Sequence, residues 1–169
     1  MGAVVLCGCD PVSDPLVRHQ AGFRPIDQGG GLEIWTGQDC LKITSVTLEV
    51  EVTDEAPRDQ RVLEADRRAG STLSRLTLTE VPDGFTVHSD WDSSPDWAAA
   101  KTVWIKVKTA GGQASSYVSI DSMLEDADGQ ADDSFYVEDE GWLTEDEYDA
   151  VVADDDAISA LCGPGTPAG

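Results

Sequence analysis

The chain is predicted to be mainly β: a small antiparallel β-sandwich with a short acidic helical appendage at its C-terminal end. Three observations lead there. Apolar and polar residues alternate with period two in several short segments between Leu32 and Ile120. Glycine and proline clusters separate those segments, without the strand–helix alternation that builds parallel sheets. The charge is also divided, since Met1 to Ile120 hold 17 acids and 11 bases while Asp121 to Asp156 hold 16 acids and no Lys or Arg.

Leu32-Glu33-Ile34-Trp35-Thr36 opens the alternation. From Val46 to Thr53 the even positions are apolar, whereas Leu41 and Ile43 just upstream are apolar at odd positions. That parity break near Ser45 predicts a bulge or a sharp bend. The stretch Arg61 to Arg68 is read as a strand rather than a short helix, followed by a loop at Ala69-Gly70-Ser71. Leu76 and Leu78 alternate with Thr77 and Thr79, Pro82-Asp83-Gly84 makes a turn, and Phe85 to His88 resumes the strand. The clearest unit is a hairpin of Thr102 to Lys108 and Ser115 to Ile120. A two-residue Gly111-Gly112 loop would set Ile105 opposite Val118, Val103 opposite Ile120 and Lys106 opposite Tyr117, with Trp104 diagonal to Tyr117.

In the acidic region, Ser134 to Val137 is predicted to be extended. Thr144-Glu145-Asp146-Glu147 then has the form of a capping box, with acids in the first turn to suit the helix dipole. Tyr148, Val151 and Val152 supply an apolar stripe for docking. A second helical turn is expected over Asp155 to Leu161, ending at Cys162-Gly163-Pro164. The strand set resembles an immunoglobulin or fibronectin-type module at the level of fold, and such a resemblance implies an architecture without a function. The expected organisation is a leader remnant over 1–9, a flexible tether over 10–31, a sandwich over 32–120 and the acidic appendage over 121–169.

Near the start, Leu6-Cys7-Gly8-Cys9 follows a small apolar stretch and precedes the polar run Asp10-Pro11-Val12-Ser13-Asp14-Pro15. This resembles the lipobox of bacterial lipoproteins. The resemblance implies cleavage before Cys9, a diacylglyceryl thioether on Cys9 and an extracytoplasmic, membrane-anchored place in the bacterial cell envelope. The alternative for Cys7 and Cys9, a metal or redox pair, lacks a Cys/His cluster, because the only histidines are His19 and His88. With Cys7 removed and Cys9 acylated, Cys40 and Cys162 remain as one even pair. Their disulfide would close a loop of about 120 residues, worth on the order of 4–5 kcal/mol in the chain-entropy model. Such a bond persists in an oxidising compartment. The segment from Asp10 to Gly31, fully extended, would reach roughly 75 Å from the anchor.

Composition and motifs narrow the function classes. A net charge of −22 excludes nucleic acid and disfavours docking on anionic headgroups. No apolar run approaches the roughly 20 residues of a spanning helix. No catalytic residues are assigned and no cofactor is expected. His88, Ser89 and Asp90 adjoin in a strand, where neighbouring side chains point to opposite faces. No Gly-x-Ser-x-Gly elbow is present, and among 33 acids the paired carboxylates of a glycosidase have no distinguishing value. Asp126, Asp128 and Asp132 form a weak Ca²⁺ candidate; as an EF-hand it fails, with Leu124 at the first position and Phe135 at the twelfth. Trp91 and Trp97, in a loop with three aspartates, either stack on a ligand such as a sugar or a protein partner, or fold back onto the core. The leading expectation is a non-enzymatic, lipid-anchored envelope protein acting as an interaction or structural module, with a protein partner of basic surface. The alternatives are a carbohydrate- or Ca²⁺-binding surface module and a small envelope hydrolase.

Overall fold

The structure, a computed structural model, describes residues 18–26, 31–53, 57–154 and 158–162. It is mainly β. The strands are β1 (Arg18–Gln20), β2 (Gly22–Ile26), β3 (Gly31–Glu51), β4 (Asp59–Ala65), β5 (Ser71–Thr77), β6 (Phe85–Ser89), β7 (Thr102–Thr109) and β8 (Gly112–Ser119). They continue with β9 (Phe135–Val137), β10 (Gly141–Leu143) and β11 (Ile158–Ala160). Two α-helices, α1 (Ile120–Glu125) and α2 (Glu145–Asp154), flank β9 and β10.

The 21-residue β3 organises the fold. Its first part pairs with β2 and β5, and its last part with β4 and β7. Adding β9 and β10 beyond β2, β6 beyond β4 and β8 beyond β7 gives two five-stranded layers sharing β3. Every pairing in this nine-stranded assembly is antiparallel. The inner faces meet in one apolar cluster, with Phe23, Leu32 and Ile34 from one layer and Leu48, Leu63, Ile105 and Val118 from the other. The result is a sandwich-like fold.

The predicted parity break is real and extends further upstream than Ser45. The pairing of β3 shifts register between Trp35 and Cys40, between Cys40 and Ile43, and between Ile43 and Ser45. Gly37 (φ 82°) and Lys42 (φ 56°) take left-handed backbone there, which turns the strand from one layer into the other. Cys40, fully buried at this corner, is bonded to Cys162, with Cα atoms 5.1 Å apart.

Three expectations are corrected. The tether does not run to Gly31: Arg18–Ile26 forms two strands and buries Ala21 and Phe23, because β2 pairs in register with β3 from Gly22–Trp35 to Ile26–Gly31. The β7–β8 hairpin turns at Ala110-Gly111, which pairs Ile105 with Ser116, Val103 with Val118 and Trp104 with Tyr117. Thr109 closes that earlier turn, its Oγ1 accepting from the Gly111 N–H and donating to the Gly112 carbonyl. The two-residue shift in register leaves every side chain on its predicted face. Finally, Ile158–Ala160 is a strand, parallel to β1, and not a helical turn. The Gln20 carbonyl explains it by accepting from both the Leu161 N–H and the Tyr148 hydroxyl. The leader, the first part of the tether and Gly163-Pro164 lie outside the described residues.

Replacing Cys40 and Cys162 together by Ala should lower the unfolding free energy by about 2–5 kcal/mol. Denaturant titration measures this, and hydrogen exchange should show Arg18–Gln20 and Ile158–Ala160 opening first. Unchanged stability would contradict the role assigned to the bond.

Candidate functional site

The acidic segment is built into the fold. β9 adds to the free edge of β2, pairing Gly22 with Val137 and Phe23 with Tyr136. Tyr136 thereby joins the main core, while Phe135 and Val137 point to the outer face of that layer. α2 lies across the same outer face. Its Tyr148, 1% exposed, sets its ring edge-on to Trp35 at 4.9 Å, and Trp35 meets Phe135 at 5.2 Å. The close approach explains two glycines. A Cβ at Gly22 would lie 2.7 Å from the Cβ of Phe135, and one at Gly37 would lie 2.6 Å from the Tyr148 hydroxyl. The first layer is therefore covered on both sides.

The capping box forms as predicted. Thr144 Oγ1 accepts from the Glu147 N–H at 3.4 Å, and the Glu147 carboxylate accepts from the Thr144 N–H at 2.8 Å and hydroxyl at 2.9 Å. Those bonds hold the Glu147 carboxyl below its ordinary range. Glu138 goes the other way: burial raises it, against the Ser119 N–H it accepts.

The basic groups that face this layer come from elsewhere in the chain. Arg18 pairs with Asp139 and Glu140, and Arg75 with Glu33 and Glu145. The guanidiniums of Arg24 and Arg75 lie over the Phe135 ring at 4.5 and 5.0 Å. Arg24 also binds Glu33 and donates to the Asp132 carbonyl. Beside Arg24, a cleft of about 650 Å³ opens between the end of β2, the acidic turn and β10. Pro25, Ile26 and Trp142 form its apolar wall, and Gln130 and Asp132 its polar side. Its size lies in the range typical of ligand sites.

The residues singled out in the sequence are distributed unevenly. Asp126, Asp128 and Asp132 are exposed on the turn, and no group of three acidic, His or Cys ligands converges among the described residues. The turn is instead closed by Gln130, whose side chain donates to the Asp126 carbonyl, and by Ser134 on the Ala131 carbonyl. Trp91 and Trp97 both pack against the core. The Trp91 indole donates to the Leu78 carbonyl at 3.3 Å, and Trp97 borders a cavity of about 290 Å³ with Pro95 and Leu78. His88 is exposed on β6, its Nδ1 3.5 Å from Glu64. Cys9 lies outside the described residues. Sequence reasoning missed Trp142 and Arg24, although a tryptophan amid carboxylates was a visible signal.

Because Glu147 is lower in the folded than in the unfolded chain, its contribution is present above the ordinary glutamate range and lost as pH falls through the folded value. Glu147→Gln should therefore lower the melting temperature at neutral pH and leave it nearly unchanged in acid, as melting curves across pH would record.

Comparison with protein-family models, with curated proteins and with solved structures finds no match for this chain.

Proposed function

We propose that the chain is a non-enzymatic, extracytoplasmic interaction module, anchored to a bacterial membrane through acylated Cys9, whose acidic layer receives the basic surface of a protein partner. One observation carries the reading. Fourteen of the sixteen carboxylates between Asp121 and Asp156, all but Asp155 and Asp156, belong to described residues of a segment held on the sheets by buried Ile120 and Met123 of α1 and by Phe135, Tyr136 and Tyr148. A tail that remained solvated coil would spread this charge. Packed on the sheets, it is a fixed and predominantly negative surface bordered by Arg18, Arg24 and Arg75, and such surfaces steer oppositely charged partners and set their register.

The compartment rests on separate residues. The Cys40–Cys162 bond supports an oxidising environment, and the lipobox resemblance at Leu6 to Cys9 supports the anchor.

Two measurements test the proposal. A hexa-arginine peptide should bind saturably at low salt and weaken several-fold as the ionic strength rises past about 0.1 M, where the screening length is roughly 10 Å; hexa-glutamate should not bind. Absence of hexa-arginine binding at low salt would overturn the acidic-layer reading. Intact mass of protein extracted from membranes should show a chain beginning at acylated Cys9, and an unmodified Met1 would overturn the anchor.

A further inference from the structure

We infer that the cleft between β2, the acidic turn and β10 is an arginine-binding pocket, seating one arginine side chain of the basic partner against Trp142 and Asp132. The inference rests on the acidic-layer reading and adds a specific residue type to it.

The cleft differs from the rest of the acidic layer in having an apolar wall. Carboxylates scattered on a solvated surface attract any cation alike, and lysine would serve as well as arginine. Here Pro25, Ile26 and the half-buried Trp142 line one cleft together with Gln130 and the exposed Asp132. An arginine guest fits that pairing of surfaces. Its methylene stem covers the apolar wall, its planar guanidinium stacks on an indole face, and its N–H fork meets a carboxylate. A lysine ammonium is a compact, strongly hydrated charge that gains less from the indole and loses more water on entry.

The chain makes the same contact with its own arginines. Arg24 and Arg75 lie over Phe135 while pairing with Glu33, and Arg58 lies over Trp104 at 4.7 Å while pairing with Glu49 and Glu51. In both cases a guanidinium is held between a ring and a carboxylate. The cleft is likewise lined by a ring and an acid, the half-buried Trp142, edge-on to Tyr136 at 5.9 Å, and the exposed Asp132. Charge complementarity favours a cation there. The stretch from Asp121 to Asp156 has no Lys or Arg, and Arg24, which also lines the cleft, is already engaged by Glu33 and the Asp132 carbonyl.

The test compares hexa-arginine with hexa-lysine, peptides of equal charge, on the full chain and on variants whose melting temperature is measured alongside. The pocket predicts that hexa-arginine binds about three- to ten-fold tighter than hexa-lysine. That preference should be lost in Trp142→Leu, reduced in Trp142→Phe and reduced in Asp132→Asn. Asp132 is exposed, so its variant is expected to fold whatever becomes of Trp142. The double variant Asp146→Asn/Asp149→Asn on α2 should weaken both peptides alike and keep the preference. Equal binding of the two peptides, or a preference untouched by Asp132→Asn and both Trp142 variants, would overturn the pocket while leaving the acidic-layer reading in place. Failure of both peptides to bind the unaltered chain would overturn the two together.

Discussion

The bond between Cys40 and Cys162 closes the corner where β3 leaves one layer and enters the other, and the placement of β1 and β11 follows from it. At that corner the strand carries two left-handed residues, Gly37 and Lys42, and three register shifts. A strand so interrupted has fewer ladder hydrogen bonds to hold its direction. Tying its midpoint to a residue 122 positions away removes conformations from the unfolded chain and brings Ile158–Ala160 beside Arg18–Gln20. The two-stranded parallel sheet that results is short, and parallel strands three residues long have little stability of their own. It holds because the disulfide on one side and the Tyr148–Gln20 hydrogen bond on the other fix its position.

The acidic layer presents the opposite problem. Sixteen carboxylates without an internal base repel one another, and compact folding brings them closer. Exposed ion pairs contribute about 0–1 kcal/mol each, so Arg18 and Arg75 do not offset this alone. Burial of large side chains contributes roughly 1.5–3 kcal/mol apiece, and Phe135, Tyr136, Val137 and Tyr148 are all buried. Screening by salt lowers the repulsion without touching that burial. Apolar contact therefore holds the layer in place, and the charge is carried on its outside.

Much of the fold was legible in particular residues. Alternation located β3, the end of β5, β6, β7 and β8, Arg61 to Arg68 was read as a strand over a short helix, and the parity of Leu41 and Ile43 against Val46 to Val52 located the bend. The capping box at Thr144 located α2. The hairpin register was displaced by two residues, since glycine content alone did not show that the Thr109 hydroxyl would close the turn at Ala110-Gly111. The candidate site was less legible. Trp91 and Trp97 stood out as aromatics in a polar loop, yet their rings turn inward. Trp142 attracted no notice, yet it lines the cleft while also packing against the core.

The sequence by itself determined the β class, the position of α2 and the separation of acidic from mixed charge. Each of these depends on local spacing or on counting, which the order of residues contains. Tertiary structure decided that Arg18–Ile26 belongs to the sheets, that β9 extends β2, and that Pro25, Trp142 and Asp132 border one cleft. The pairing of β2 with β9 and the lining of the cleft join residues more than a hundred positions apart, and they come into being only when a shared core and a closed loop bring distant backbone into register.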